Sequence, residues 1–160
     1  MRSIIRTQQV GVAAVEFAFV IVIMLLIMAG VVEFGRTFWY ADALTKATRD
    51  GARMMSTWEA SDISNGVTKV QDRVIAVAAA ANVSPALVNA NVTVQCDTPP
   101  PASPFSFGAC SSGTAPANVR VSITGFTINL GAWFPFIGPD GLISFSNISL
   151  SPHTTMRYMN

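Results

Sequence analysis

The sequence reads as an α+β protein: a single long N-terminal transmembrane helix that runs on into a small outer domain holding a second helix and a three-stranded antiparallel sheet. Three observations lead there. From Val12 to Val32 the chain has 21 residues with Glu16 as their sole charge, about 31 Å as a helix against roughly 30 Å of bilayer hydrocarbon. The helical period then continues beyond that run, and from about residue 91 it gives way to two-residue alternation broken by proline and glycine. Of the 160 residues 51% are hydrophobic and 12% charged. The apolar excess sits in that one run, so the chain divides into one anchor and one domain with a modest core.

The first helix is expected from about Val12 to about Trp58. Tyr40, Leu44, Ala47, Gly51, Met54 and Trp58 recur at three- and four-residue steps and form one apolar stripe. Asp42, Lys46 and Asp50 alternate in sign at i, i+4 on a second, solvated face. SDISNG reads as a turn, and Val67, Val70, Val74, Val77 and Ala81 mark a second amphipathic helix. In SPALV, Ser84 fits an N-cap and Pro85 a first helical position, which predicts a single helical turn. ANVTVQC alternates as a strand ending at Cys96, and the proline-rich segment after it reads as loop. NVRVSITGFTI sets Val119, Val121 and Ile123 against Arg120, Ser122 and Thr124, a half-buried strand with a kink or bulge at Gly125. The last strand runs from LISFSNISLS towards TTMRYM. Between these two, GAWFPFIGPDG is aromatic and closes on a Pro-Asp-Gly turn signal. Its Trp133–Ile137 stretch is either core under the sheet or a subunit contact.

The run from Val12 is too long for the core of a secretory signal peptide, usually about 7–15 residues, and it leaves through VVEFGR without an A-x-A site. Arg2 and Arg6 precede it without any acid, which places the N-terminus in the cytoplasm and the C-terminal part outside. Ten basic and nine acidic residues, the basic ones scattered singly after Arg53, offer no face for nucleic acid. Cys96 and Cys110 lie on the side expected to be oxidising, so a disulfide is the expected use. With His153 as the only histidine the alternative, a metal site, is poorly supplied with ligands. His153 has no G-x-S-x-G near it, no glycine-rich phosphate loop precedes a helix, and Asp97 and Asp140 fall in separate loops, so neither catalysis nor a cofactor is expected. The N-x-[ST] sequences at Asn82, Asn91 and Asn147 would read as glycan acceptors in a eukaryotic secretory protein, and chance in a Ser/Thr/Asn-rich chain explains them equally well.

Glu16 needs an explanation, because a carboxylate in an apolar span costs on the order of 2 kcal/mol or more without a partner. It stands five residues after Gly11, the only glycine of the first 29 residues, and directly before Phe17. A basic leader, Gly11, four small apolar residues, Glu16, Phe17 and an apolar helix closely resemble the processing site of type IV prepilins. Together with Glu33-Phe34-Gly35-Arg36 and Arg49-Asp50-Gly51-Ala52-Arg53, this order of blocks resembles the TadE-like family of minor pilins, or pseudopilins, of the tight-adherence (Flp) pilus. TMRYM near the end resembles the C-termini of these proteins more weakly. Read from the residues alone, Glu33 and Arg36 mark the outer membrane interface and pair at i, i+3, and Glu16 is a tolerated charge near the inner leaflet.

The resemblance implies a leader at residues 1–11, cut between Gly11 and Val12 by a prepilin peptidase. It also implies a transmembrane part at 12–35 and a pilin-like periplasmic domain at 36–160 of a bacterial inner-membrane protein. Partners implied are other pilins and pseudopilins, the inner-membrane assembly platform and membrane lipid. The cut creates an α-amine on Val12, a positive charge at the start of an apolar helix. Glu16, one turn on, is the carboxylate able to neutralise it within the subunit or in a neighbour. The outer part is too large for a short major Flp pilin, which points to a minor, priming or tip role. The alternatives are a permanently anchored bitopic binding or adhesion protein, and a periplasmic hydrolase on a signal-anchor.

Overall fold

The computed structural model describes residues 5–97, 106–131, 136–138, 141–143 and 145–160. Helix α1 spans Ile5–Ser56 without a break, ending within two residues of the expected end and starting before Val12. No proline interrupts this stretch, and the helix runs on through Gly30 and Gly35, so nothing in the backbone separates the apolar run from the amphipathic one. Its outer half is the spine of the domain. Leu44, Ala47, Ala52 and Met55 are fully buried, with Tyr40 and Ala43 nearly so. The stripe expected through Met54 is shifted by one residue onto Met55, and Met54 is half-buried.

Helix α2, Ile63–Ala80, starts four residues earlier than expected. SDISNG is not a free turn: Ala60–Asp62 form a 3-10 turn and Ile63 to Gly66 are already helix. Ile63 is fully buried and anchors that first turn, so tertiary burial outweighs the poor helix propensity of Ser64, Asn65 and Gly66. A Cβ at Gly66 would lie 2.7 Å from the Trp58 ring, so α2 begins as close against Trp58 as a glycine allows. The helical turn expected at Ser84–Pro85 does not form. The Ser84–Pro85 bond is cis, and a turn of 3-10 helix comes later, at Asn89–Asn91, where the Asn91 side chain accepts from the Val88 N–H.

The main sheet has four strands rather than three, in the order β2-β1-β3-β8. These are β1 (Val92–Asp97), β2 (Phe107–Ala109), β3 (Asn118–Ile123) and β8 (His153–Arg157), all antiparallel. The extra strand is β2, in the segment expected to be loop. Proline content hides it, and the Cys96–Cys110 disulfide, with an S–S distance of 2.07 Å, ties its end to β1. The GFTI continuation does not kink within one strand. At Gly125, with φ +67°, the chain leaves the sheet, and β4 (Thr127–Leu130) pairs with β7 (Phe145–Ser149) as a separate ribbon. The last expected strand is likewise divided among β6 (Gly141–Ile143), β7 and β8, and β6 pairs with β5 (Phe136–Gly138). Trp133 to Pro135 and the Pro139–Asp140 step lie outside the described residues, and with them the question of what the Trp133–Ile137 stretch covers.

One face of the sheet carries the helices. Val92 and Val94 of β1 and Val119, Val121 and Ile123 of β3 point into a single core with Val70, Val74 and Ala78 of α2 and Leu44, Ala47 and Met55 of α1. α1 packs on β3 and β8, α2 on β1 and on α1. The close approach of the two helices centres on Gly51, where a Cβ would stand 2.6 Å from Val74 Cγ2 and 3.3 Å from Val70 Cγ1.

Candidate functional site

The site is laid out along α1 and falls into three levels. At the innermost level Gly11, Val12, Glu16 and Phe17 all lie on the helix surface, exposed and outside the domain core. Val12 is 62% and Phe17 65% exposed, and the apolar side chains through Val32 are similarly open. A Cβ at Gly11 would meet nothing within 4 Å. The four-residue step puts Val12 and Glu16 on the same side of the helix, one turn apart.

At the middle level the environment changes within one residue. Glu33 is buried, 1% exposed, while Val32 and Phe34 on either side are open. Its carboxylate takes a 2.7 Å bond from Arg36 Nη2. The same arginine nitrogen donates to the Asn129 carbonyl of β4 at 3.1 Å, and its guanidinium stands 5.9 Å from the centre of the Tyr40 ring. Glu33 and Arg36 thus do pair at i, i+3, and the pair also ties α1 to the β4–β7 ribbon. Phe34 and Phe38 meet in a tilted pair, ring centroids 5.2 Å apart and planes at 53°, and remain exposed. Trp39 is 60% exposed while its indole N–H donates to the Ala81 carbonyl at the end of α2.

At the outer level the block Arg49 to Arg53 splits by direction. Gly51 and Ala52 face the core. Asp50 accepts from Arg73 of α2 at 2.7 Å, and Lys46 pairs with Asp42 at 2.6 Å, so the charge alternation serves one intrahelical pair and one cross-helix pair. Arg49 and Arg53 point outward. The C-terminal TMRYM segment closes the far end: the Tyr158 hydroxyl and the Asn160 side chain both donate to the Trp58 carbonyl, and Met159 N–H to that of Ser56. Burial and the nearby Glu59 charge push the Tyr158 phenol above its ordinary value.

Sequence reasoning missed Asn129 and Arg73 as partners of the family blocks, and Tyr158 as the partner of the Trp58 carbonyl. Each is joined to its partner across the fold, and no spacing rule reports such a contact. His153 is exposed at the start of β8, and Asp97 is buried against the Asn118 side chain. Among the described residues no group of three or more His, Cys, Asp or Glu could hold a metal ion.

This arrangement defines a class of protein: one N-terminal apolar helix, fit to cross a membrane once, whose continuation is the spine of an α+β domain. Within that class the N-terminal segment is TadE-like. The family model described as TadE-like protein matches residues 11–53, the stretch holding all three sequence blocks, and the family is associated with the tight-adherence pilus. No curated protein and no solved structure matches the chain.

Proposed function

We propose that this chain is a minor pilin or pseudopilin of a tight-adherence pilus, held in the bacterial inner membrane with its domain in the periplasm and released for assembly by a prepilin peptidase. Its work is packing and contact rather than catalysis. One observation carries the reading: α1 leaves its inner length, from Val12 to Val32, exposed except at half-buried Ala29 and Gly30, with Glu16 as the one charge, while its outer length is built into the domain. An exposed apolar rod rigidly joined to a folded head can exchange lipid for the rods of neighbouring subunits without disturbing the head.

Cleavage after Gly11 removes Arg2 and Arg6, so ten basic residues become eight against nine acidic. The attraction of the N-terminus to anionic lipid falls accordingly. The new Val12 amine is a charge that an apolar packing surface tolerates only when paired, and Glu16 is placed to pair with it. The uncut chain has an amide there instead, so cleavage sets the condition for packing. Assembly partners are then other pilins and pseudopilins and the inner-membrane platform.

Intact mass of the protein recovered from cells tests the reading. A mature chain beginning at Val12 is expected, with Gly11→Val left uncut because a side chain obstructs the scissile bond. A chain that keeps Arg2 and Arg6 would favour the permanently anchored binding protein.

A further inference from the structure

The four-stranded sheet ends on β8, and among the described residues no strand pairs with its outer edge. The backbone bonds show which groups face that edge. Tyr158 N–H donates to the Ala117 carbonyl and Ile123 N–H to that of Pro152, and the register sets Thr154 opposite Val121 and Met156 opposite Val119. Hydrogen-bonded and non-bonded pairs alternate along an antiparallel ladder. Thr154 and Met156 therefore turn their N–H and C=O to β3, and those of His153, Thr155 and Arg157 point outward. The opposite edge strand, β2, is three residues long and tied down by the disulfide. The β8 edge is five residues long and has no such tether.

The outward face of α1 runs beside it. Lys46, Arg49, Asp50, Arg53 and Met156 line a shallow groove there. Lys46 and Asp50 are engaged with Asp42 and Arg73, whereas Arg49 and Arg53, one helical turn apart, form no ion pair among the described residues. Arg157 is exposed at the end of the strand. An open edge is a template for another strand, and the charges left over around this one are all positive.

We propose that β8 and this groove take up an extended acidic segment of a partner protein, which adds to β8 as a fifth strand and sets carboxylates against Arg49 and Arg53. A lipid headgroup is a poor occupant. Arg49 lies 17 residues beyond Val32, about 25 Å further along the helix, and a phosphate cannot satisfy alternating backbone donors and acceptors. The Gly11 cut and the Glu16 pairing play no part here, so this proposal and the reading above fail separately.

The test uses the full chain in nanodiscs and three fluorescent peptides: one alternating valine and glutamate, its lysine counterpart, and the acidic peptide N-methylated at alternate backbone nitrogens. The acidic peptide should bind about tenfold or more tighter than the lysine one and slow hydrogen exchange at the outward amides of Thr155 and Arg157, and the methylated peptide should not bind. Arg49→Gln with Arg53→Gln should erase the preference for acid. Thr155→Pro removes an outward N–H and the side-chain bond from Arg120 while leaving the backbone bonds to β3, a place where an edge strand tolerates proline, and should abolish binding. Equal binding of the acidic and lysine peptides, binding of the methylated one, or no binding at all overturns the proposal. Protection of the same amides by the chain alone, rising with its concentration, overturns it in favour of a second copy on this edge.

Discussion

The inner and outer halves of α1 share one helical geometry and have opposite surroundings. From Val12 to Val32 the apolar residues go all the way round and none is buried in the domain; from Tyr40 to Ser56 they keep to one stripe and fill the core. Glycine shows the contrast at single-atom scale. A Cβ at Gly30 or Gly35 would meet nothing within 4 Å, whereas at Gly51 it would strike Val74 at 2.6 Å. The carboxylates differ in the same way. Glu33 is enclosed with Arg36 under β4, while Glu16 lies open on the helix. One half of the helix is enclosed by folding, and the other stays exposed.

The two halves should therefore answer mutation differently. Gly51→Val forces apart the two helices and should cost about 3 kcal/mol or more of domain stability, while Gly35→Ala should be neutral or stabilising by up to about 1 kcal/mol through helix propensity. Thermal unfolding of the full chain in detergent checks both, and equal effects would erase the contrast. Cys96→Ser or Cys110→Ser opens a loop of about 15 residues and should cost about 3 kcal/mol by loop entropy. Only the outer domain should loosen, since the disulfide lies far from the Gly11 site, so proteolysis of the domain should quicken while mature-chain mass stays unchanged.

Tyr158 sharpens the comparison from the far end of the helix. Tyr158→Phe removes the bond to the Trp58 carbonyl and should cost about 1 kcal/mol. The folded-state phenol is raised, by burial first and by Glu59 second. The native state thus favours the neutral form, its contribution is complete below the unfolded value near 10, and it is lost as pH rises through the folded value. Stability of the parent should fall more steeply than that of Tyr158→Phe above about pH 10, a difference read from unfolding midpoints across that range.

Regular periodicity made much of this legible in the sequence. The long helix, the second helix and the alternation in β1 and β3 each rest on several residues that report the same face, so one misplaced residue does not alter the reading. The Cys96–Cys110 pairing and the Glu33–Arg36 pair were legible from type and spacing. The failures lie where a tertiary contact decides the local outcome. Ile63 draws SNG into α2, β2 forms beside a proline-rich stretch because β1 and a disulfide hold it, and Gly125 turns what reads as one strand into members of two sheets. The candidate site divides likewise. Gly11, Glu16 and the Arg49 to Arg53 block were found by resemblance, while the split of that block into core-facing and outward-facing residues needed the fold.

The pairing of Glu16 with the Val12 amine is tested most directly by crosslinking Glu16→Ala to its pilin partners in cells, with mature-chain mass and membrane fractionation read from the same samples. The variant should insert and be cut at a near-normal rate, since an apolar segment has only lost a charge, yet fail to crosslink, with Glu16→Gln equally defective and Glu16→Asp partly so. Crosslinking of Glu16→Ala at the parent's level, in a chain shown to begin at Val12, would contradict the pairing and leave Glu16 a tolerated charge at the membrane surface.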